Sequence, residues 1–361
     1  MQNDIPADTA SEDSQPTGGG WVDQPDDDAT LARLVEKITA QQHALASSSH
    51  TQLDGRIDRG QHQKQVFAAF GTLRIVGTLP PALKAGPFTH VDPSGQPPVY
   101  RVACRFSNGQ PCPFADSNPD VRGVAVKFFT ADGRETDLLM TNEGGRSHAK
   151  NAEQFMSFAD IIVAQLANGV GAGLAQGARE LLHGELGPLE AAHVAGILTE
   201  TTLLHKVDSL ATEQFWGSVV QLGNAAIKYA LQPHDDALPG TDADPASGDY
   251  LRDDLLNRLK QRPLKWKLVA ALFVDEKSTP VNNASVVWKS PAIVIGELEI
   301  DSMPSVQDET CIRQMAFNPA NGFEPLGITH ARKAVYAASA ANRKERGLLS
   351  REEARQCIER S

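Results

Sequence analysis

A tyrosine near the C-terminal end of the chain stands among regularly spaced arginines. Arg332 precedes Tyr336 by four residues and Arg343 follows it by seven, in a stretch rich in alanine with interspersed lysine and arginine. This composition favours a helix, and the spacing places the three side chains on one helical face. A guanidinium there would stabilise the tyrosine as a phenolate, a hard anionic ligand for ferric iron and one of the few axial ligands that haem proteins use. The same pattern is also typical of a surface helix with one tyrosine packed inward, so the interpretation needs partners elsewhere in the chain.

Residues that could complete an iron site recur upstream in short motifs. His62 follows Arg59 by three residues in a charged segment, and histidine is the side chain that most readily exchanges protons near neutral pH. Arginines offer a planar fork of donors that matches carboxylates. In chain order the motifs are Arg59-x-x-His62-x-Lys64, Cys104-Arg105-Phe106-Ser107, Asp120-x-Arg122-Gly123-Val-Ala-Val-Lys127-Phe128, Asp137-Leu-Leu-x-x-Asn142, Phe155-x-Ser-Phe158 and Arg332-x-x-x-Tyr336.

Each candidate also has a purely structural interpretation. A histidine after a charged loop is commonly a solvated surface residue, and only its basic neighbours distinguish His62 from the other nine histidines. Asn142 could cap a turn or a helix, and Arg105 could form an ion pair at a strand edge. Phe155 and Phe158 have the spacing of ordinary core residues on a helix.

The composition limits the class of protein. The chain has 361 residues, of which 41% are hydrophobic and 22% charged, and its net charge of -11 disfavours nucleic acid or an anionic membrane as a partner. We find no apolar run long enough to span a membrane and no signal peptide. The four cysteines lack metal-ligand spacing, which predicts free thiols in a reducing compartment and hence a cytoplasmic location.

Patterning predicts a disordered acidic leader over residues 1–28 and a single domain over 29–361. Closely spaced strands come first and helices later, which indicates an α+β fold rather than alternating βαβ units. The predicted strands are 66–79, 99–106, 123–130, 135–140, 226–232, 264–275 and 292–300. The predicted helices are 29–48, 152–185, 188–208, 250–260 and most of the chain after residue 321, and 214–232 is expected to open with a helical turn.

The ordered motifs resemble those of haem catalases, and the chain is most similar to the small catalase-related haem proteins that lack the C-terminal flavodoxin-like domain. The resemblance covers roughly residues 55 to 345. It implies a catalase-type antiparallel β-barrel with surrounding helices and a C-terminal haem-ligating helix. It also implies haem b, with its iron, as the cofactor of an oxidoreductase of the peroxidase or catalase class.

The resemblance assigns a role to each site residue. Tyr336 would ligate the iron as the metal-binding residue, with Arg332 keeping it ionised. His62 would move a proton between the oxygens of the peroxide, oriented by Ser107, while Asn142 would hold the peroxide in place. The remaining assignments are Arg59, Arg105 and Arg343 to the haem propionates, Phe155 and Phe158 to the porphyrin wall, and Asp120 to the peroxide channel.

The sequence departs from the catalase pattern close to the expected peroxide site. Gln61 stands where catalases have a small apolar residue, and Glu143 opens a polar, Gly-rich stretch where they have apolar residues. His148 repeats the His-x-Lys pattern but has glycine, not arginine, three residues before it, so it ranks below His62. A wetter pocket could admit an organic hydroperoxide or an oxidisable reductant.

Three functions follow from the resemblance. The first is a peroxidase that consumes hydrogen peroxide or an organic hydroperoxide with a small organic reductant. The alternatives are a fatty-acid hydroperoxide isomerase or lyase, and a haem-binding protein without enzymatic turnover. The family assembles as dimers or tetramers, so a homo-oligomer is one expectation.

Overall fold

Antiparallel strands form a closed barrel at the centre of the computed structural model, which describes residues 16–51, 53–89, 95–183, 187–241, 243–344 and 347–361. The hydrogen-bonded order of the strands, numbered along the chain, is β4-β3-β2-β1-β8-β7-β6-β5, and a further pairing of β4 with β5 closes the barrel. The short strand β9 pairs with β5. Within the described residues the strands are β1 (Gln65–Ile75), β2 (Val99–Asn108), β3 (Arg122–Phe129), β4 (Glu135–Thr141), β5 (Phe215–Leu222), β6 (Ala225–Pro233), β7 (Leu264–Leu272), β8 (Ala292–Ile300) and β9 (Glu324–Pro325).

Helices surround the barrel, and the predicted α+β fold is confirmed. In the described part of the chain they are α1 (Asp28–Ser47), α2 (Ala152–Asn168), α3 (Val170–His183), α4 (Pro188–Leu198), α5 (Tyr250–Gln261), α6 (Val306–Arg313), α7 (Thr329–Asn342) and α8 (Arg351–Arg360). Across these ranges, no helix combines the length and the apolar character that a membrane crossing needs.

One predicted element is wrong. The segment expected to open with a helical turn at residue 214 is strand β5 from Phe215 onward, and the turn lies earlier, at Leu210–Thr212. Most of β5 is buried on both faces, because it faces the barrel interior on one side and α7 packs over the other. A strand buried on both faces lacks the alternation of polar and apolar residues by which strands are recognised.

Strands β2 and β3 divide their side chains between the barrel interior and an outer face. Phe106 points inward, where its ring centroid lies 5.4 Å from that of Trp266. Its neighbours along β2 alternate with it, so Arg105 and Ser107 point outward. Ser107 pairs with Gly123 of β3, which places the two residues side by side on that outer face. The predicted site residues of these strands therefore share one surface.

Helix α7 is fixed between α1 and the barrel. The side chain of Gln42 in α1 donates to the carbonyl and the hydroxyl of Ser339, at 3.3 and 3.0 Å, and accepts from Asn342 at 3.0 Å. At the other end of α7, the hydroxyl of Thr329 donates to the carbonyl of Val219 in β5 at 2.7 Å. These contacts hold the helix that carries Tyr336 against the barrel.

Residues 16–27, the described part of the chain before α1, contact the barrel although they form no helix or strand. The backbone N–H of Ala226 donates to the carbonyl of Gly18 at 2.8 Å, and Oδ2 of Asp23 lies 2.6 Å from Nε2 of His330 near the start of α7. Residues 1–15 of the predicted disordered leader lie outside the described residues. The boundary at residue 28 between leader and domain stays a prediction.

Two of the four cysteines form a disulfide, so the prediction of free thiols is wrong for this pair. Cys311 of α6 is bonded to Cys357 of α8, whereas Cys104 and Cys112 are free and buried. The bonded residues are 46 positions apart, and only the packing of α8 beside α6 brings them together. No local sequence pattern marks such a pair.

Replacing both cysteines of this disulfide with serine should destabilise the protein by roughly 2–4 kcal/mol, because the unfolded chain loses a cross-link that closes a long loop. Urea denaturation with and without a reductant measures the effect. Reductant should lower the midpoint of the unmodified protein and leave that of the C311S/C357S variant in place. Four titratable thiols in unreduced, denatured protein would contradict the disulfide.

Candidate active site

His62 lies on the outer face of the barrel, over strands β2 and β3. Its Nδ1 atom is 3.1 Å from the hydroxyl oxygen of Ser107. A Cβ atom on Gly123 would stand only 2.7 Å from the imidazole ring. The ring thus rests on a glycine, and the serine hydroxyl is placed to orient it.

The backbone of His62 adopts a conformation that residues other than glycine rarely take. Its φ angle is +54°, in the left-handed region. The N–H of His62 donates to the carbonyl of Gly109 at 2.8 Å, and the guanidinium of Arg105 donates to the carbonyl of His62 at 2.8 Å. A costly conformation held from both sides is a feature of functional sites.

The surroundings of His62 favour its neutral form. Burial, together with the charge of Arg105, lowers the pKa of His62 to about 4, against an opposing effect of the Glu143 carboxylate. The ring is therefore uncharged at neutral pH. A neutral imidazole whose Nδ1 is engaged by a serine presents Nε2 for proton exchange.

Replacing Gly123 with alanine should displace the His62 ring, since the new methyl group would occupy space that the ring now fills. A misplacement of ~1 Å can cost about 10²-fold in rate, so we expect a loss of peroxide consumption that approaches this value in a folded protein. The matched control is Gly196→Ala in α4, where an added Cβ meets no atom within 4 Å. Full activity in the Gly123 variant would show that the ring does not take part.

Three arginines gather beside His62. Burial lowers the pKa of Arg105 well below its ordinary value, and the charges of Arg59 and Arg343 lower it further. The Nε atom of Arg105 is buried without a hydrogen-bond partner among the described residues. Arg59 donates to the backbone carbonyl of Met315 at 3.0 Å, and the Nε atom of Arg343 donates to that of Ser339 at 3.1 Å. A cluster of guanidinium groups whose positive charges repel one another is suited to binding carboxylates.

Helix α7 carries Tyr336 with Arg332 one turn before it and Arg343 at its C-terminal cap. The Tyr336 side chain is half-buried. Arg332 donates to the hydroxyl of Ser218 in β5, which fixes the guanidinium against the barrel. In the described ranges no three His, Cys, Asp or Glu side chains group as a metal site. Tyr336 is a candidate of another kind, a phenol that would ligate iron held by a porphyrin.

Asn142 directly follows strand β4, and both polar atoms of its side chain are engaged by other residues. Thr141 pairs with Gly123 and shares its face of the sheet, so the side chain of the next residue points the other way. The Oδ1 atom of Asn142 accepts from the backbone N–H of Arg122 at 2.7 Å, and its Nδ2 donates to Glu213 at 2.8 Å. Asn142 acts here as a cap between strands, and its peroxide-binding role stays a prediction.

A buried Glu143–His148 pair is the feature that sequence reasoning missed. The Oε1 atom of Glu143 lies 2.8 Å from Nδ1 of His148, and Oε2 accepts from the hydroxyl of Thr141 at 3.0 Å. The ring centroid of His148 lies 4.9 Å from that of Phe155 and 5.3 Å from that of Phe158. The polar stretch that begins at Glu143 and the repeated His-x-Lys pattern were the available signals.

Asp120 is a buried carboxylate beside the turn that holds His62. Burial raises the pKa of Asp120 to about 6, and its carboxylate accepts from the N–H of Gln110 at 3.0 Å.

Lys228 is a second buried ionisable group near the site. Burial lowers the pKa of Lys228 to about 7, with the charge of Arg332 acting in the same direction. Lys228 donates to the carbonyl of Gly145 at 2.6 Å. It lines a cavity of about 30 Å³ that Glu143 and Arg332 also line, room for about one water molecule.

Comparison with known proteins finds similarity both in sequence and in fold. No family model matches the chain. It is similar to a catalase-related peroxidase of Mycolicibacterium paratuberculosis (strain ATCC BAA-968 / K-10), 29% identical over 273 residues that cover 71% of this chain and 80% of that protein. The crystal structure of a fungal catalase matches with a TM-score of 0.60 at 16% identity, over 83% of this chain and 61% of that one. The chain thus resembles a catalase-related peroxidase in sequence and a catalase in fold.

The similarity to the fungal catalase confirms the predicted fold, an antiparallel β-barrel with surrounding helices. The sequence similarity to a catalase-related peroxidase agrees with the predicted resemblance to haem catalases. The chain spans about three-fifths of the fungal catalase, 61% of its length.

Proposed function

We propose that the chain is a haem-dependent oxidoreductase of the peroxidase or catalase class that consumes hydrogen peroxide or an organic hydroperoxide. The observation that carries the proposal is His62, which is neutral, rests on Gly123 and is oriented by Ser107 on the outer face of the barrel. The similarity to a catalase-related peroxidase supports the same activity.

The residues present fit haem b as the cofactor. The unpartnered Nε of Arg105, flanked by the charges of Arg59 and Arg343, would receive the two propionates. Phe155 and Phe158 would form an aromatic wall, and Tyr336 would ligate the iron with Arg332 behind it. When bound, haem supplies an iron that peroxide oxidises and a second substrate reduces.

The protein's own contribution is proton transfer under controlled geometry. Nε2 of His62 would accept the proton of the hydroperoxide and return it to the departing oxygen, which leaves as water or an alcohol. Ser107 holds the ring for both transfers. The low pKa of His62 keeps the ring ready as a base at neutral pH.

The polar wall beside this site favours an organic co-substrate. The buried Glu143–His148 pair puts hydrogen-bonding groups beside the rings of Phe155 and Phe158, a combination suited to an organic molecule that carries a polar group. This observation supports a peroxidase with a small organic reductant. It equally favours the second candidate, a fatty-acid hydroperoxide isomerase or lyase, because both need a pocket that accepts an organic molecule.

The deciding experiment combines spectroscopy with product analysis. We expect one haem per chain, a Soret band with high-spin ferric tyrosinate features, and consumption of hydrogen peroxide that accelerates with a phenolic reductant. Rearranged or cleaved lipid from a lipid hydroperoxide, without added reductant, would favour the isomerase or lyase. Turnover no faster than that of free haem would overturn the enzymatic proposal and leave a haem-binding protein.

Location and assembly are further proposals. The cytoplasmic location predicted from free thiols is opposed by the disulfide of Cys311 and Cys357, since such bonds persist mainly in oxidising compartments. Blocking free thiols during cell lysis, followed by mass spectrometry of the intact chain, would show the state of this pair in the cell. Light scattering of the purified protein would test the homo-oligomer.

A further inference from the structure

We propose that His148 is a substrate-binding residue whose Nε2 atom accepts a hydrogen bond from the O–H group of an organic substrate. The inference deepens the proposed function and rests on it. The substrate class is a small molecule with a hydroxyl or hydroperoxyl group beside an apolar body, as a phenol or an alkyl hydroperoxide has.

His148 is buried, and one of its ring nitrogens has no hydrogen-bond partner among the described residues. The side chain is 7% exposed, and Nε2 has no hydrogen-bond partner among the described residues. A buried polar atom without a partner is costly, and such atoms mark places where a ligand or water completes the structure. The ring contacts Phe155 and Phe158, which provide the apolar surface for the body of a substrate.

The contact with Glu143 decides which kind of group Nε2 can bind. Burial alone would raise the pKa of Glu143, but the contacts with His148 and Thr141 outweigh burial and leave this pKa below its ordinary value. The carboxylate is therefore ionised and can only accept. In the tautomer whose Nδ1–H donates to this carboxylate, Nε2 on the far side of the ring is an acceptor.

Neighbouring groups on this wall are already engaged. Asn142 is bonded to Arg122 and Glu213, and the hydroxyl of Thr141 donates to Glu143. Glu143 also accepts from the backbone N–H of His148 at 3.3 Å, so the pair is held as a unit. For an O–H group beside Phe155 and Phe158, Nε2 of His148 is the buried acceptor that has no partner among the described residues.

The test compares two ligands that differ by one O–H group. Isothermal titration calorimetry with the full-length protein gives the dissociation constants of guaiacol and of its methyl ether, 1,2-dimethoxybenzene. The unmodified protein should prefer guaiacol about tenfold, which corresponds to 1.4 kcal/mol. His148→Phe keeps an aromatic ring and should abolish the preference. The matched control is His43→Phe at an exposed position of α1, which should retain it.

A second variant keeps the proposal testable if His148→Phe does not fold. In Glu143→Gln the amide can donate to Nδ1, which moves the ring hydrogen to Nε2 and turns the acceptor into a donor. The preference for guaiacol should then fall about as far as in His148→Phe, although the ring remains. A merely structural role of His148 would leave the ratio of the two constants unchanged in both variants.

The outcomes separate this inference from the proposed function. An unchanged preference in the variants, or none in the unmodified protein, alongside full peroxide consumption would overturn the role of His148 alone. The opposite outcome is an unmodified protein that neither holds haem nor consumes peroxide, but prefers guaiacol and loses this preference in His148→Phe. It would overturn the enzymatic proposal and support the binding role of His148.

Discussion

Replacing His62 with alanine should slow peroxide consumption by about 10²- to 10⁴-fold while haem content stays at its original level. This is the range that a positioned acid–base residue contributes. The methyl side chain cannot move the proton, whereas the arginines and Tyr336, which would hold the cofactor, remain. Initial rates of peroxide loss, normalised to haem per chain, give the result.

The control for this variant is His43→Ala, which removes an exposed histidine of α1 and should leave the rate unchanged. If the His62 variant loses haem together with activity, the ring serves structure rather than proton transfer. A rate within a few-fold of the unmodified protein would remove His62 from the mechanism and point to another base.

The same residue predicts the acid limb of the pH profile. Since the pKa of His62 is lowered to about 4 from a usual 6.5, the ring stays neutral as the pH falls from 7 and is protonated only near 4. Activity should decline there rather than near 6.5. Because the folded-state pKa is depressed, the unfolded chain takes up a proton first. The contribution of His62 to stability is therefore lost as the pH falls from about 6.5 to about 4.

The parts of the site that could be predicted lie on regular strands. Alternation along β2 places Arg105 and Ser107 on one face, so short motifs sufficed to find them. Asn142 shows the limit of the same reasoning. A shift of one residue in strand register moves a side chain to the opposite face, and Thr141, not Asn142, lies on the face of Gly123. Spacing along the chain cannot settle a register.

The features that could not be predicted depend on contacts between distant segments. Cys311 and Cys357 meet because α8 packs near α6, and Lys228 is buried because the segments that carry Gly145 and Trp288 pack over its strand. Glu143 and His148 are close in sequence, but the polar, Gly-rich stretch between them is typical of an exposed loop. Only the surrounding structure shows that they are buried and paired, because composition favours solvent exposure for such residues.

Replacing Tyr336 with phenylalanine should remove the proposed iron ligand and lower haem affinity by more than 100-fold. Loss of a partner that merely supports a metal ligand typically costs about 10- to 100-fold, and loss of the ligand itself should exceed this. The variant retains the ring, so the packing of α7 against α1 is preserved. Haem titration followed by absorption, with loss of the tyrosinate bands, measures the effect.

Two further variants make this prediction specific. Arg332→Leu removes the guanidinium bound to Ser218 and should lower haem affinity about 10- to 100-fold, as expected for a residue that supports a ligand. The loss of haem affinity should therefore be larger in the Tyr336 variant than in the Arg332 variant. Tyr250→Phe is the matched control: it removes a phenol that donates to the carbonyl of Val207, so it should cost only stability and leave the spectrum unchanged. An unaltered spectrum and affinity in the Tyr336 variant would place the iron ligand elsewhere. In that case the arginines beside His62 would remain as a carboxylate-binding cluster, because their arrangement does not depend on the phenol.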